Sequence, residues 1–451
     1  MDSKEQAVFP QNFYNTYITK SELPEENKVD YYLIKGRKKL KGEVKISGAK
    51  NAALPIIVAS LLADGETVLS NVPDLKDIRT IIKVIEYLGA ETEFDTDKNI
   101  LKIRVDSIKN SEMPYELVKT MRASYYVMGP LLARLGEADV SLPGGCAIGE
   151  RPVDIHLSGF ESMGAEIKLE HGYIKARAKK KMKPATFTMR QVSVGATANL
   201  MMGAVLTKGT TVLENCAMEP DVVDLGNFLN KMGAKVTGLG TERIEIEGVS
   251  KLSPVSYAVM PDRIEAGTFL LAGAITRGDV TITDCVPEHI QSLIDTLSES
   301  GFKLEVDNDR IRITNGRNLK GFMVKTLPYP GFPTDLQAPL MSLATTIPGI
   351  SVIIETIFEN RYTHVGELRR MGADITIEGN SAIVKGTKDL SSAPIMMSDL
   401  RAGASLVIAA LAAKGATEIR RIYHSDRGYE KLNEKLSALG ADIKRVKGGT
   451  F

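Results

Sequence analysis

A short phrase recurs six times along the chain and limits what it can fold into more than any other feature. Each copy is a helical run ended by a glycine, usually followed by alanine and then by alternating residues. The copies are YLGAETEF at Gly89, SMGAEIKL at Gly164, KMGAKVTG at Gly233, ESGFKLEV at Gly301, RMGADITI at Gly372 and ALGADIKR at Gly440. The gaps between these glycines are 75, 69, 68, 71 and 68 residues. One glycine after a helix is commonplace, because it takes the left-handed cap conformation without a Cβ clash. Six at one period mark an internal repeat, so the fold is expected to be assembled from six related units.

A second phrase keeps the same beat: a polar or charged residue opens a stretch dense in Ala, Gly and Ser. These stretches lie around Lys50 in SGAKNAALPIIVAS, Arg122 in MRASYYVMGPLLA, Ser193 in VSVGATANLMMGAV, Arg263 in DRIEAGTFLLAGAI, Asp335 in TDLQAPLMSLATT and Arg401 in DLRAGASLVIAALA. Small side chains permit close approach on most sides, so the stretches read as buried central helices. Strands such as GETVLSNV and GTTVLENC follow, and then an amphipathic helix, whose apolar stripe is plain in DIRTIIKVIEYLG.

Each unit therefore reads as helix, strand, helix, then strand or hairpin, and 451 residues exceed what one hydrophobic core usually supports. Two domains of three units are expected. The first strand, in YLIKGRKKLKGEVKIS, is expected to join the last three units. Residues 1–30 then form a flexible or loosely docked extension, residues 53–260 an N-terminal domain, and residues 31–52 with 261–451 a discontinuous C-terminal domain.

Charge and cysteine content exclude several functions. Lys and Arg total 57 against 56 Asp and Glu, so no global field attracts nucleic acid or an anionic membrane, and anion binding has to be local. Cys146, Cys216 and Cys285 offer neither a disulfide framework nor a zinc-type pair, which fits a reducing cytoplasm. The N-terminal stretch is polar, and no run approaches the ~20 apolar residues of a membrane span, so neither export nor insertion is expected.

If six units are arranged alike, the N-termini of their buried helices converge and present unpaired N–H groups that favour anions. Lys50, Arg122, Arg151, Arg361, Arg401 and Arg427 are then expected to line a cationic cleft for a substrate with several negative charges. Pairing with neighbouring carboxylates is the alternative for each of them. Asp335, in YPGFPTDLQAP, is the best-placed base: a buried-helix N-terminus would help keep it ionised, and desolvation beside an alcohol would raise its pKa toward a useful value; read alone it is an ordinary helix cap. Asp399 has the same two readings. Cys146 lies in SLPGGCAIGERPVDIH, too rich in Gly and Pro for a helix interior. It is either a small loop-filling residue or a thiol made more acidic by Arg151.

The segments SGAKNAALP, TMRAS, SLPGGCAIGERPVDIH, SVGAT, PDRIEAGTF, YPGFPTDLQAP, FENRYTHVGELRRMGA, SDLRAGASL and HSDRGYEKL, in this order, resemble the enolpyruvyl transferases from about Tyr31 to the end. The resemblance is to the branch whose acceptor is UDP-N-acetylglucosamine. It implies a two-domain inside-out α/β barrel, each domain three βαβαββ units around buried helices, closing on substrate across a cleft. The implied reaction moves the enolpyruvyl group of phosphoenolpyruvate to the sugar 3'-hydroxyl and releases phosphate, the first committed step of peptidoglycan synthesis. Neither a metal nor a redox cofactor is implied, and a monomer is compatible with it.

By the same resemblance Cys146 is the general acid on a mobile loop, open to alkylation by the epoxide fosfomycin, and Asp335 the base for the sugar hydroxyl. Lys50, Arg122, Arg151 and Arg427 contact phosphoenolpyruvate, Lys50 also serving catalysis. Asn51, Arg122, Arg151, Ser193, Val194, Gly195, Asp335 and Ile357 contact the nucleotide sugar, and Arg361, Asp399 and Arg401 complete the cleft. Gln191 departs from the pattern, standing where some members have a lysine thought to touch the nucleotide phosphates; the backbone of Ser193 to Gly195 would have to serve instead. The shikimate-pathway branch of the family resembles this chain without the cysteine loop. A catalytically idle relative that binds nucleotide sugar or a protein partner is the remaining alternative.

Overall fold

The computed structural model describes residues 29–118, 121–141, 153–178, 181–387 and 389–449. All six marker glycines take positive φ: 112° at Gly89, 88° at Gly164, 103° at Gly233, 96° at Gly301, 89° at Gly372 and 94° at Gly440. In five of them the next residue's N–H reaches back to a carbonyl near the helix end. Ala90 bonds Ile85, Ala234 bonds Leu229 and Phe302 bonds Leu297 at 3.0 Å, Ala373 bonds Leu368 at 3.1 Å and Ala441 bonds Leu436 at 3.0 Å. This closure needs a left-handed residue and turns the following side chain inward, which accounts for the small or apolar residue after each glycine.

Each unit feeds one four-stranded sheet. In the second, Glu112–Met113 runs parallel to Glu137–Ser141, which pairs antiparallel with Tyr173–Ala178, and that with Ala165–Glu170. The parallel link passes through a buried helix, and an amphipathic helix leads into the closing hairpin. Three sheets borrow a strand from a distant part of the chain. Ser256–Ala258 lies parallel to Gly65–Ser70, Lys41–Lys45 lies parallel to Asp279–Thr283, and Val29–Lys35 pairs with both Ala416–Arg420 and Asp442–Gly449. The sheets stay separate and open, and none closes into a barrel of strands.

Two hydrophobic cores result. One gathers buried side chains from Ala49 to Val259, the other joins Tyr32 to Ile46 with Ile264 to Ile443. The chain crosses between Ile46 and Ala49 rather than after residue 52, because the whole apolar content of the helix Lys50–Ala59 packs into the first core. The return crossing lies between Val259 and Ile264. The two crossings run side by side through an antiparallel bridge of Gly48 and Pro261, with Ala49 N 2.7 Å from Met260 O and Asp262 N 2.8 Å from Ser47 O. A Cβ on Gly48 would sit 1.7 Å from Asn71 O, so only glycine permits this approach.

The small-residue stretches are the central helices. Arg263–Ile275, Gln337–Ala344 and Leu400–Ala412 pack against one another in the second core. In the first, Met128–Leu135 lies on Val194–Ala204, close enough for Gly129 N to donate to Asn199 Oδ1 at 2.8 Å. Two of the expected helix starts are instead 3-10 turns, Arg122–Val127 and Thr334–Leu336, each leading into the α-helix. Among the described residues no helix is long and apolar enough to cross a membrane.

Candidate active site

The crossing brings helix starts from both cores together. Lys50 opens the first buried helix, and its side chain is almost fully buried. Its Nζ donates to Asp77 Oδ2 at 3.2 Å, while Arg427 Nε, from the second domain, donates to Asp77 Oδ1 at 2.9 Å. Asp77 sits in the first turn of the helix Lys76–Tyr87, where the dipole also favours its negative charge. Burial pulls the Lys50 ammonium below its ordinary value, against the raising influence of Asp77, and Arg401 and Arg427 add to the lowering. For Asp77 burial acts upward, yet Lys50 and Arg427 outweigh it and keep the carboxyl below its usual range.

A second cluster is built around Asp335. Arg361 Nη2 donates to Oδ1 at 2.7 Å, and Arg401 donates to Oδ2 from Nη2 at 2.9 Å and from Nε at 3.1 Å. Both arginine side chains are 5% exposed, whereas that of Asp335 is 26% exposed and so open toward ligand. The expectation that desolvation lifts the Asp335 pKa is corrected here. Burial does act upward, but Arg401, Arg361 and the nearby Lys50 overcome it and hold the carboxyl well below the usual range. Nor does Asp335 cap a helix: the following helix has no side-chain cap, and the carboxylate is spent on guanidinium groups. Each guanidinium keeps a buried Nη1 with no hydrogen-bond partner among the described residues, donor capacity left for an anion.

Among the described residues the cations expected to line a cleft are therefore not bare. Lys50, Arg361, Arg401 and Arg427 took the alternative open to each, pairing with a carboxylate, and the two clusters meet electrostatically through Lys50. Asp399 is a helix cap, accepting from Arg401 N and Ala402 N at 3.0 Å each. Burial acts upward on its carboxyl, but the Ala402 N–H, Thr363 and the nearby Arg361 keep it below its ordinary value. Ser193 is likewise a cap, accepting from Ala196 N at 3.2 Å, so Val194 and Gly195 present first-turn N–H groups that have no intrahelical acceptor. A Cβ on Gly195 would lie 3.2 Å from His156 Nε2, which ties this turn to the end of the cysteine-bearing segment. Gln191 is exposed, and its neighbour Arg190 pairs with Asp154 at 2.5 Å.

Asn51 lies half-buried on the turn after Lys50, and Ile357 is 36% exposed on the loop after the strand Ile350–Ile354. Cys146 and Arg151 lie outside the described residues, as does the stretch 1–28; Arg122 begins its 3-10 turn, and its side chain is likewise outside them. Asp77 and Glu355 escaped the sequence reading. The buried Glu355 accepts from Ile357 N, Thr326 Oγ1 and Thr334 Oγ1 at 2.8 Å each, which fastens the Ile357 loop beside Asp335. In the sequence Asp77 looks like any acidic first-turn residue; its position four residues before the IIKVIEYLG stripe was the only signal.

The two-domain α/β repeat gathers paired cations and carboxylates from both halves, an arrangement suited to binding anionic substrates. The chain belongs to the EPSP synthase family, described as EPSP synthase (3-phosphoshikimate 1-carboxyvinyltransferase), whose pattern matches residues 34–436. It is 54% identical over 418 residues to a UDP-N-acetylglucosamine 1-carboxyvinyltransferase of Geotalea uraniireducens, covering 93% of this chain and 100% of the relative. It is 55% identical over 406 residues to UDP-N-acetylglucosamine 1-carboxyvinyltransferase 1 of Caldanaerobacter subterraneus subsp. tengcongensis, covering 90% and 97%. Among solved structures it is similar to the enolpyruvyl transferase NikO from Streptomyces tendae, with a TM-score of 0.84, 25% identity and coverage of 94% of this chain and 100% of that one.

Proposed function

We propose that this chain transfers the enolpyruvyl group of phosphoenolpyruvate to the 3'-hydroxyl of UDP-N-acetylglucosamine, a cytoplasmic step of peptidoglycan synthesis. The observation that carries the reading is the pair of electrostatically linked clusters, Lys50–Asp77–Arg427, which joins the two domains, and Arg361–Asp335–Arg401 of the second domain. The choice of acceptor is supported by relatives of that name at 54% and 55% identity over nearly their whole length. Six open sheets around buried helices support reading each domain as an inside-out barrel. The expected extension of residues 1–30 is shortened at its end, because Val29 and Asp30 already belong to the strand Val29–Lys35 of the second domain.

The reaction needs a proton at the CH2 carbon, a sugar oxygen bonded to the adjacent carbon, and a place for the charge of carboxylate and phosphate. Cys146 delivers the proton and Arg151 and Arg122 join Lys50 and Arg427 around the anion. The resulting ketal-like intermediate then loses a methyl proton and phosphate, which restores the double bond. Asn51, Ser193, Val194, Gly195 and Ile357 hold the nucleotide sugar, and Asp335 faces its hydroxyl. While both arginines grip it, Asp335 is a poor proton acceptor. Its service as base requires that the substrate's anionic groups draw Arg361 and Arg401 toward themselves, using the spare Nη1 donors. Mass spectrometry of UDP-N-acetylglucosamine incubated with phosphoenolpyruvate and enzyme tests the reading: gain of one enolpyruvyl group on the sugar is expected, and an unchanged acceptor contradicts it.

A further inference from the structure

Glu430 lies outside the two clusters, yet its carboxylate joins three separate segments. Oε2 accepts from Ser47 Oγ at 2.7 Å, and Oε1 accepts from Asp74 N at 2.7 Å and Asn99 Nδ2 at 2.8 Å. Ser47 is in the crossing itself, while Asp74 and Asn99 belong to loops of the first domain. Those loops are already fastened to each other, with Asn99 Nδ2 donating to Val72 O at 2.9 Å and Val72 N donating to Asn99 O at 2.9 Å. Ser47 is gripped further by the second domain: its N donates to Glu265 Oε2 at 2.7 Å, and Lys435 Nζ donates to Ser47 Oγ at 2.6 Å and to Glu265 Oε1 at 2.7 Å.

The spacing gives this network its meaning. Glu430 stands three residues after Arg427, and Asp74 three residues before Asp77. The same two segments are thus tied twice, once by the ionic contact of Arg427 with Asp77 and once by the bonds of Glu430 to the Asp74 loop. The first tie involves a group assigned to substrate and has to rearrange when an anion enters. The second uses neutral donors that no substrate contact claims, so it holds the segments in register while the first exchanges partners.

We infer that Glu430 is a positioning residue, which sets the separation of Arg427 from Lys50 and Asp77 and so the width of the phosphoenolpyruvate site. The inference rests on the function proposed above. Loss of the tie lets the Arg427 segment drift from the first domain, and misplacement of a binding group by about 1 Å is enough to weaken catalysis strongly. The acceptor contacts at Ser193 to Gly195 lie on another helix and are not tied to Glu430.

Steady-state kinetics of the full chain, varying each substrate separately, tests this with Glu430→Ala, Glu430→Gln, Ser47→Ala and Asn99→Ala. Glu430→Ala is expected to raise KM for phosphoenolpyruvate about tenfold while KM for UDP-N-acetylglucosamine stays within about twofold. Glu430→Gln keeps an oxygen for Asp74 N and Asn99 and is expected to recover most of the loss; Ser47→Ala and Asn99→Ala each remove one donor and should give smaller rises in the same KM. An equal change in both KM values, or no rescue by glutamine, overturns the assignment. If Glu430→Ala does not fold, unchanged KM for phosphoenolpyruvate in both Ser47→Ala and Asn99→Ala overturns it. A wild-type chain that makes no product overturns the functional reading and this inference together, whereas an active wild type with unaltered variants overturns the inference alone.

Discussion

Arg427 Nε lies 2.9 Å from Asp77 Oδ1, joining the two domains through residues 350 positions apart in sequence. The other oxygen of the same carboxylate holds Lys50, so one negative charge keeps two cations in place where phosphoenolpyruvate is proposed to bind. Asp77 in this arrangement is the counter-ion that makes an empty cationic site tolerable, since an unpaired buried charge is costly.

Replacing Asp77 with Asn should therefore lower stability by about 3 kcal/mol in urea unfolding, chiefly by leaving the buried Lys50 without its partner. Saturating phosphoenolpyruvate is expected to narrow the gap from wild type, because the substrate brings the missing negative charge. A gap that widens with substrate would mean that Asp77 does not stand in for the anion.

Asp335→Asn should cut turnover by at least about a hundredfold, the usual scale for losing a positioned acid or base. Its stability effect has a definite sign. The folded carboxyl is held below its ordinary value, so its contribution is complete above the unfolded value near ~3.9 and is lost as pH falls toward the folded one. Thermal melts should show the wild-type advantage constant above about pH 5 and shrinking below it.

His364 is fully buried with neither ring nitrogen partnered among the described residues, and burial pushes its pKa down to about 4. The folded state thus keeps the ring neutral while the unfolded chain takes up a proton near ~6.5, so stability is lost as pH falls through this window, by about 1.4 kcal/mol per pH unit. Chemical unfolding at pH 7 and pH 5 should show a larger drop for wild type than for His364→Leu. Equal drops would place a charge-compensating partner beside the ring.

Fosfomycin with UDP-N-acetylglucosamine should add one mass equivalent, found on the peptide containing Cys146. Cys216 and Cys285 are buried, and burial pushes their thiols up to about 12 and about 11, so neither competes as a nucleophile. An adduct on either of them, or none on the Cys146 peptide, counts against an activated thiol at 146.

The repeat was readable because its determinants are local. A glycine cap, a buried residue after it and a small-residue helix each leave a mark within a dozen positions, and six left-handed glycines carry that mark into the structure. The capping by Asp399 was local in the same way. Pairings across the crossing were not readable: Asp77 meets Arg427 over 350 residues and Asp335 meets Arg401 over 66, and nothing in either neighbourhood announces the partner. Which core takes Ala52 and Ala53 was likewise not legible in SGAKNAALP, because only packing assigns them.

Phosphate release by the purified chain, with phosphoenolpyruvate and either UDP-N-acetylglucosamine or shikimate 3-phosphate, tests the proposed reaction most directly. Release that depends on UDP-N-acetylglucosamine, and none above background with shikimate 3-phosphate, is the expected result. Release with shikimate 3-phosphate and not with UDP-N-acetylglucosamine would contradict it.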